Sequence, residues 1–214
     1  MLRGNDGERA LRVQDLAGHA VPSRAADPRV ERQDASGGRR RSGAAKAGGV
    51  SRAQVGAGAT VDVVAVPAQH FSGRGALDRN ATLWAGMCLL GPRHRVFFSG
   101  DTGATTEHAD IGASFGPFDI ALFEIGAFHP AWGDIHLGPD GAFDAFARIN
   151  ARALLPVHWS TFDLGLHPWQ EPAERLYTRT RREHAALLTP RLGEPLERDS
   201  LTTPWWREVV ARRN

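Results

Sequence analysis

Short apolar runs broken by Gly, Pro, Asp and His begin near residue 51 and continue to about residue 190. Five of them predict strands: residues 61–66 (VDVVAV), 82–90, 95–98 (RVFF), 120–125 and 153–157 (ALLPV). Two later segments switch to helical period. Pro139 stands ahead of DGAFDAFARINAR, where Phe143, Phe146 and Ala147 share one face. Pro172 opens EPAERLYTRTRREHAALL, where Ala173, Leu176, Tyr177, Thr180, His184 and Leu187 form a stripe at i, i+3 and i+4. Strands alternating with helices predict an α/β protein.

No such pattern runs through residues 1–50. That segment holds no Phe, Trp or Tyr, although the chain has 10 Phe, 6 Trp and 1 Tyr, and Arg, Gly and Ala dominate it. It also carries the positive charge, with ten basic against six acidic residues, so the rest of the chain is slightly acidic. Few apolar anchors cannot offset the entropy of ordering, so residues 1–50 are expected to form a disordered basic leader and residues 51–214 the folded domain. The arginines suit a solvated tail better than a nucleic-acid arm, because no aromatic is interleaved for base stacking. No nucleic-acid partner is therefore expected.

Charge and cysteine usage exclude further classes. No run of 18 apolar residues exists to span a membrane. The first 15 residues lack the apolar core of a secretory signal, which makes the Asn80-Ala81-Thr82 sequon incidental and the expected location cytoplasmic. A single cysteine, Cys88, sits in the apolar stretch LWAGMCLL and reads as a buried structural thiol rather than a nucleophile.

The chemistry concentrates after the strands. VDVVAVPAQH ends on His70, RVFFSGD on Asp101 and ALLPVH on His158. Imidazole and carboxylate at strand ends are held rigidly yet reach an open edge, which suits zinc, iron or manganese. Each alone has a plainer role, as a hydrogen-bonded structural histidine or a turn aspartate. It is their coincidence that points to a metal.

The stretches PAQHFSGRG, FFSGDTG, FGPFDIALFEIGAF and LLPVHWSTFDLGLHPWQEP, in this order over residues 51–190, resemble the metallo-β-lactamase superfamily. Within it they resemble the branch of N-acyl-phosphatidylethanolamine-hydrolysing phospholipase D. The resemblance implies a metallo-β-lactamase αβ/βα sandwich of which this chain holds the C-terminal half, and hydrolysis of a phosphodiester or related ester by a metal-activated water. It implies His70, Asp101 and His158 as zinc ligands, with Asp101 bridging two ions and assisting acid–base catalysis with His136. It further implies His136 and His167 as pocket-lining residues that meet a small-molecule or lipid substrate. His136 opens the segment HLGPDGA, in which Asp140 and Gly141 stand where the family has a Glu pair. His94, His108, His129 and His184 match no motif and read as surface or helix-packing residues. Phe128, Trp132, Trp159, Phe162 and Trp169 could wall a substrate pocket, with core packing expected for most.

The family's upstream H-x-H-x-D-H motif is absent. His19 is the one histidine before His70, so either ion would keep two protein ligands where zinc sites use about three plus water. The abrupt change of composition, and 25 Arg against one Lys, suggest that residues 1–50 derive from a shifted frame or misplaced start. The competing expectation is a truncated, non-catalytic remnant or interaction module.

Overall fold

The structure, a computed structural model, describes residues 49–55, 59–73, 75, 78–132, 134–162, 165–196 and 200–212. The leader expectation therefore lies outside the described residues, apart from Gly49 and Val50. Those two open the first strand.

Six strands make one sheet in sequential order: β1 (Gly49–Val55), β2 (Ala59–Val66), β3 (Gly86–Leu90), β4 (Arg95–Phe98), β5 (Phe118–Glu124) and β6 (Ala151–Val157). The first four form an antiparallel meander, whereas β4, β5 and β6 run parallel. Parallel neighbours need crossovers, and helices provide them: α1 (Glu107–Phe115) between β4 and β5, and α2 (Gly138–Arg148) between β5 and β6. This is the expected α/β architecture.

Register explains the core. Val64, Cys88, Phe97, Ala121 and Leu154 are successive cross-strand partners and all are buried, so one row of side chains crosses five strands on a single face. That face meets α1, whose His108 ring lies edge-on to Phe97 and Phe123 at 6.2 and 5.3 Å. The neighbouring row of Ala65, Met87, Phe98, Leu122 and Leu155 points the other way and is half-buried or exposed. A residue period of two makes these rows inseparable: a one-residue slip would exchange them.

A third helix, α3 (Glu171–Arg182), packs beside α2. Arg175 pairs with Asp140, and Arg179 reaches Asp144 at 2.6 Å while its guanidinium covers the Phe143 ring. The helical stripe read from the sequence ran on to Leu187, but the chain leaves the helix at His184, where φ is 54°. Leu187 instead bridges Leu154 of β6. The run predicted from residue 82 is also shorter, because Gly86 starts the strand.

Residues 188–212 belong to a second compact unit. Thr189 donates its N–H to Thr202 Oγ1 at 2.7 Å, and Arg191 pairs with Glu208 of helix α4 (Trp206–Ala211).

Candidate metal centre

Strand direction decides where the chemistry gathers. β2 and β4 are both antiparallel to β3, so β2, β4, β5 and β6 all point the same way and end on one edge of the sheet. His70 follows β2, Asp101 follows β4, Glu124 closes β5 and His158 follows β6. Open α/β sheets present ligand sites at this carboxyl edge.

The connecting loops are stitched to each other. The Gln69 N–H donates to Thr102 Oγ1 at 2.9 Å and the Gly103 N–H to Gln69 O at 2.7 Å, tying the His70 loop to the Asp101 loop. The Gln69 amide also reaches Asp134 O, which draws in the segment carrying His136. Gly103 must be glycine, since a Cβ there would lie 1.6 Å from the Asp134 carbonyl oxygen. Gly126 is equally constrained: a Cβ would lie 2.1 Å from the His158 carbonyl oxygen. His158 itself has φ of 60°, beside Ser160 at 65° and Ala127 at 51°, a cluster of left-handed non-glycine residues of the kind that collects at functional sites.

Within this frame the side chains converge. His158 Nε2 lies 3.7 Å from Asp101 Oδ1, and His158 Nδ1 lies 3.8 Å from Glu124 Oε2. His136 Nδ1 stands 3.4 Å from the same Glu124 oxygen. The His136 ring is 5.3 Å from that of His158, nearly parallel, and 5.3 Å from that of His70, edge-on. Burial alone would lower the His136 pKa, but the facing carboxylates of Glu124 and Asp101 outweigh it and leave it raised above the ordinary imidazole value.

Donor atoms here lack partners. His70 Nδ1 donates to the Phe71 carbonyl at 2.9 Å, which leaves the lone pair on Nε2, a buried atom with no hydrogen bond. His136 Nδ1 and Glu124 Oε2 are likewise buried and unpartnered. Glu124 is fully buried, and its Oε1 accepts the Leu137 N–H at 2.5 Å. Buried polar groups are nearly always satisfied; His136 Nδ1 and Glu124 Oε2 face each other as a charge pair, and His70 Nε2 is left open to a ligand at this edge. The nitrogen and oxygen donors fit a borderline divalent ion such as zinc.

His158 also lines a cavity of about 190 Å³ with Gly126, Trp159, Phe162, His167 and Trp169. His167 repeats the His70 pattern: Nδ1 donates to the Pro168 carbonyl at 3.1 Å, Nε2 is left buried and unpartnered, and the ring stacks on Phe128 at 4.7 Å. Three of the five aromatics singled out from the sequence thus face a cavity. Trp132 lies against the rings of His129 and His136.

The structure therefore brings His70, Asp101, His136 and His158 to one edge, with His167 on the adjoining cavity wall. It adds Glu124, which the sequence reading passed over; a carboxylate inside the apolar run FDIALFEI was the available signal. His108 packs against aromatic rings under α1, burial and all, while His94 sits 3.7 Å from Asp119 and away from this edge.

Comparison with known proteins agrees on the family. A family profile described as the beta-lactamase superfamily domain matches residues 11–159. An uncharacterized protein of Mycobacterium tuberculosis is 47% identical over 150 residues, 68% of this chain and 40% of that protein. N-acyl-phosphatidylethanolamine-hydrolyzing phospholipase D 1 of Caenorhabditis elegans is 34% identical over 145 residues, 64% of this chain and 41% of that one. The chain spans about two fifths of the length of these relatives. Among solved structures, isothiocyanate hydrolase from Delia radicum gut bacteria shares the fold with a TM-score of 0.50 at 16% identity, over 64% of this chain and 54% of that one.

Proposed function

The chain belongs to the metallo-β-lactamase superfamily, and on that premise we propose that it is a metal-dependent hydrolase acting on a phosphodiester or a related ester. The observation that carries this reading is the convergence of Asp101, Glu124, His70, His136 and His158 on one sheet edge, with buried donor atoms left unpartnered. The similarity to a phospholipase D supports a phosphodiester substrate, and the wall of Trp159, Phe162 and Trp169 suits an apolar substituent on it.

In this reading His70, Asp101 and His158 would hold zinc. The bound metal supplies a water of lowered pKa and stabilises charge developing on the substrate oxygens. His70 offers Nε2 because Phe71 fixes its other nitrogen. His136 is biased toward its protonated form by Glu124 and Asp101 and delivers a proton to the leaving oxygen from Nε2. His167 accepts a substrate hydrogen bond at Nε2 on the cavity wall. The buried Cys88 thiol fits a cytoplasmic setting.

The test is hydrolysis of bis(p-nitrophenyl) phosphate and p-nitrophenyl butyrate by the zinc-loaded chain and by Asp101→Ala. Turnover that disappears in the variant supports the proposal. Turnover that survives moves the reaction away from this edge, and a zinc-loaded wild type without turnover favours a non-catalytic metal-binding module.

A further inference from the structure

The sheet has a second face that α1, α2 and α3 leave open. On β2 to β6 two rows of cross-strand partners point away from α1: Val63, Leu89, Val96, Ile120 and Ala153, and beside them Ala65, Met87, Phe98, Leu122 and Leu155. All ten are apolar, and none is buried. The row that meets α1 is at most 3% exposed, whereas Met87 on the open face is 43% exposed. Strand order accounts for the asymmetry. β4, β5 and β6 lie side by side in chain order, so both right-handed crossovers turn the same way and place α1 and α2 on one face. α3 packs beside α2 on that side.

Water does not suit such a face. A sheet that meets solvent on one side alternates apolar with polar residues, yet GMCLL of β3 and most of ATVDVVAV of β2 are apolar on both faces, the pattern of strands covered from two sides. A continuous apolar patch beyond a few hundred Å² marks an interaction surface. Five strands about 4.8 Å apart and roughly 20 Å long present roughly 500 Å² in plan, and interdigitating side chains bury more than the plan area. Two such faces together clear the ~1,000 Å² that a specific interface needs. The chain just ahead of β1 has little to lay on this surface, since residues 31–48 contain no Val, Leu, Ile, Met or aromatic residue. Neither row carries a charge, so a two-fold axis across the face sets no like charges against each other and matches apolar rows with apolar rows.

We propose that this face docks a second copy of the chain, the two sheets packing face to face about 10 Å apart with their helices outward in a symmetric dimer. β4 is the middle strand of the five, so the pairing centres on Val96 and Phe98, with Met87 and Leu122 flanking Phe98. The ten side chains then form a core between the copies. The dimer draws on no metal ligand and no catalytic residue, and it is independent of the hydrolase reading.

The experiment is sedimentation velocity of the full chain across the micromolar range, with a chelator present. Wild type should sediment as a dimer. Met87→Glu, which sets a carboxylate in the apolar face, should weaken association more than 100-fold with circular dichroism unchanged. Ala113→Glu, at an exposed position of α1, should keep the wild-type association. A wild type that stays monomeric, or a dimer that Met87→Glu leaves intact, overturns the proposal. Should Met87→Glu fail to fold, Met87→Cys decides, because the native Cys88 is buried and the new thiol would be the reactive one. Its labelling by maleimide should slow as protein concentration rises. Labelling that is fast at every concentration means an open face, and labelling that is slow at every concentration means a face covered by the chain's own residues; either result overturns the dimer.

Discussion

Gly126→Ala is the sharpest single-atom probe of the way β6 delivers His158. The added methyl would sit 2.1 Å from the His158 carbonyl oxygen, 3.2 Å from its carbonyl carbon and 3.3 Å from Trp159 Cα. All three are backbone atoms, so no side-chain rotation relieves the clash, and the oxygen must retreat by more than ~1 Å to reach ordinary contact. Overpacking of this kind costs about 1–3 kcal/mol, which in a domain of this size lowers Tm by roughly 3–10 °C. The larger effect is on geometry. Metal ligands tolerate displacements of only ~0.2 Å, and His158 faces both carboxylates of the edge. Zinc affinity should therefore fall at least tenfold. Gly141→Ala is the matched control: it sits inside α2, its Cβ would meet only the Leu137 side chain at 3.3 Å, and alanine there should raise stability by about 0.5–1 kcal/mol. The assay is thermal melting with and without zinc, alongside zinc titration. A Gly126→Ala protein with wild-type Tm and wild-type zinc affinity would refute this account of the edge.

Three further outcomes are expected. His108 is buried under α1 and desolvation depresses its pKa from 6.5 to about 4, so the unfolded chain takes up a proton below pH 6.5 that the folded chain refuses. Stability should hold above pH 6.5 and fall by about 1.4 kcal/mol per unit toward pH 4, a slope that His108→Phe removes in urea titrations at stepped pH; equal slopes would contradict it. The Cys88 thiol, with no exposed surface and a pKa pushed up to about 12 by burial, should resist iodoacetamide at pH 8 in the native protein and react once urea unfolds it. Zinc at a hundredfold excess over its Kd should stabilise the fold by about 2.7 kcal/mol, and a chelator should return Tm to the metal-free value; an unchanged Tm would mean that no site of this kind binds.

Most strands were legible because their apolar runs pack on the helix layer, as VDVVAV and RVFF do. β1 was not. It pairs on one side only, its sequence GVSRAQV has no apolar run, and what holds it is the backbone ladder to β2 with the Arg52–Asp62 ion pair at 2.7 Å. α1 escaped notice for a different reason: its buried positions are His108, Ile111 and Gly112, too mixed in size and polarity to make a stripe. Spacing and strand ends pointed to His70, Asp101 and His158, and the motif resemblance to His136 and His167. Glu124 belongs to no polar motif. It is conspicuous only as a charge at the end of an otherwise apolar strand, and its meaning depends on how the loop before α2 returns His136 to it and on the exit of β6, which lies far along the chain.

The shared carboxyl edge has a consequence for assembly. The donors there arrive on the ends of four strands, β2, β4, β5 and β6, so the full set does not meet until the connecting loops have closed and the parallel pairs β4–β5 and β5–β6 are in register. Local structure alone cannot create affinity for an ion at this edge. Metal uptake by the nascent or refolding chain would therefore time the completion of its parallel sheet, and the spectrum of Co²⁺ added during refolding would serve as a clock for that step.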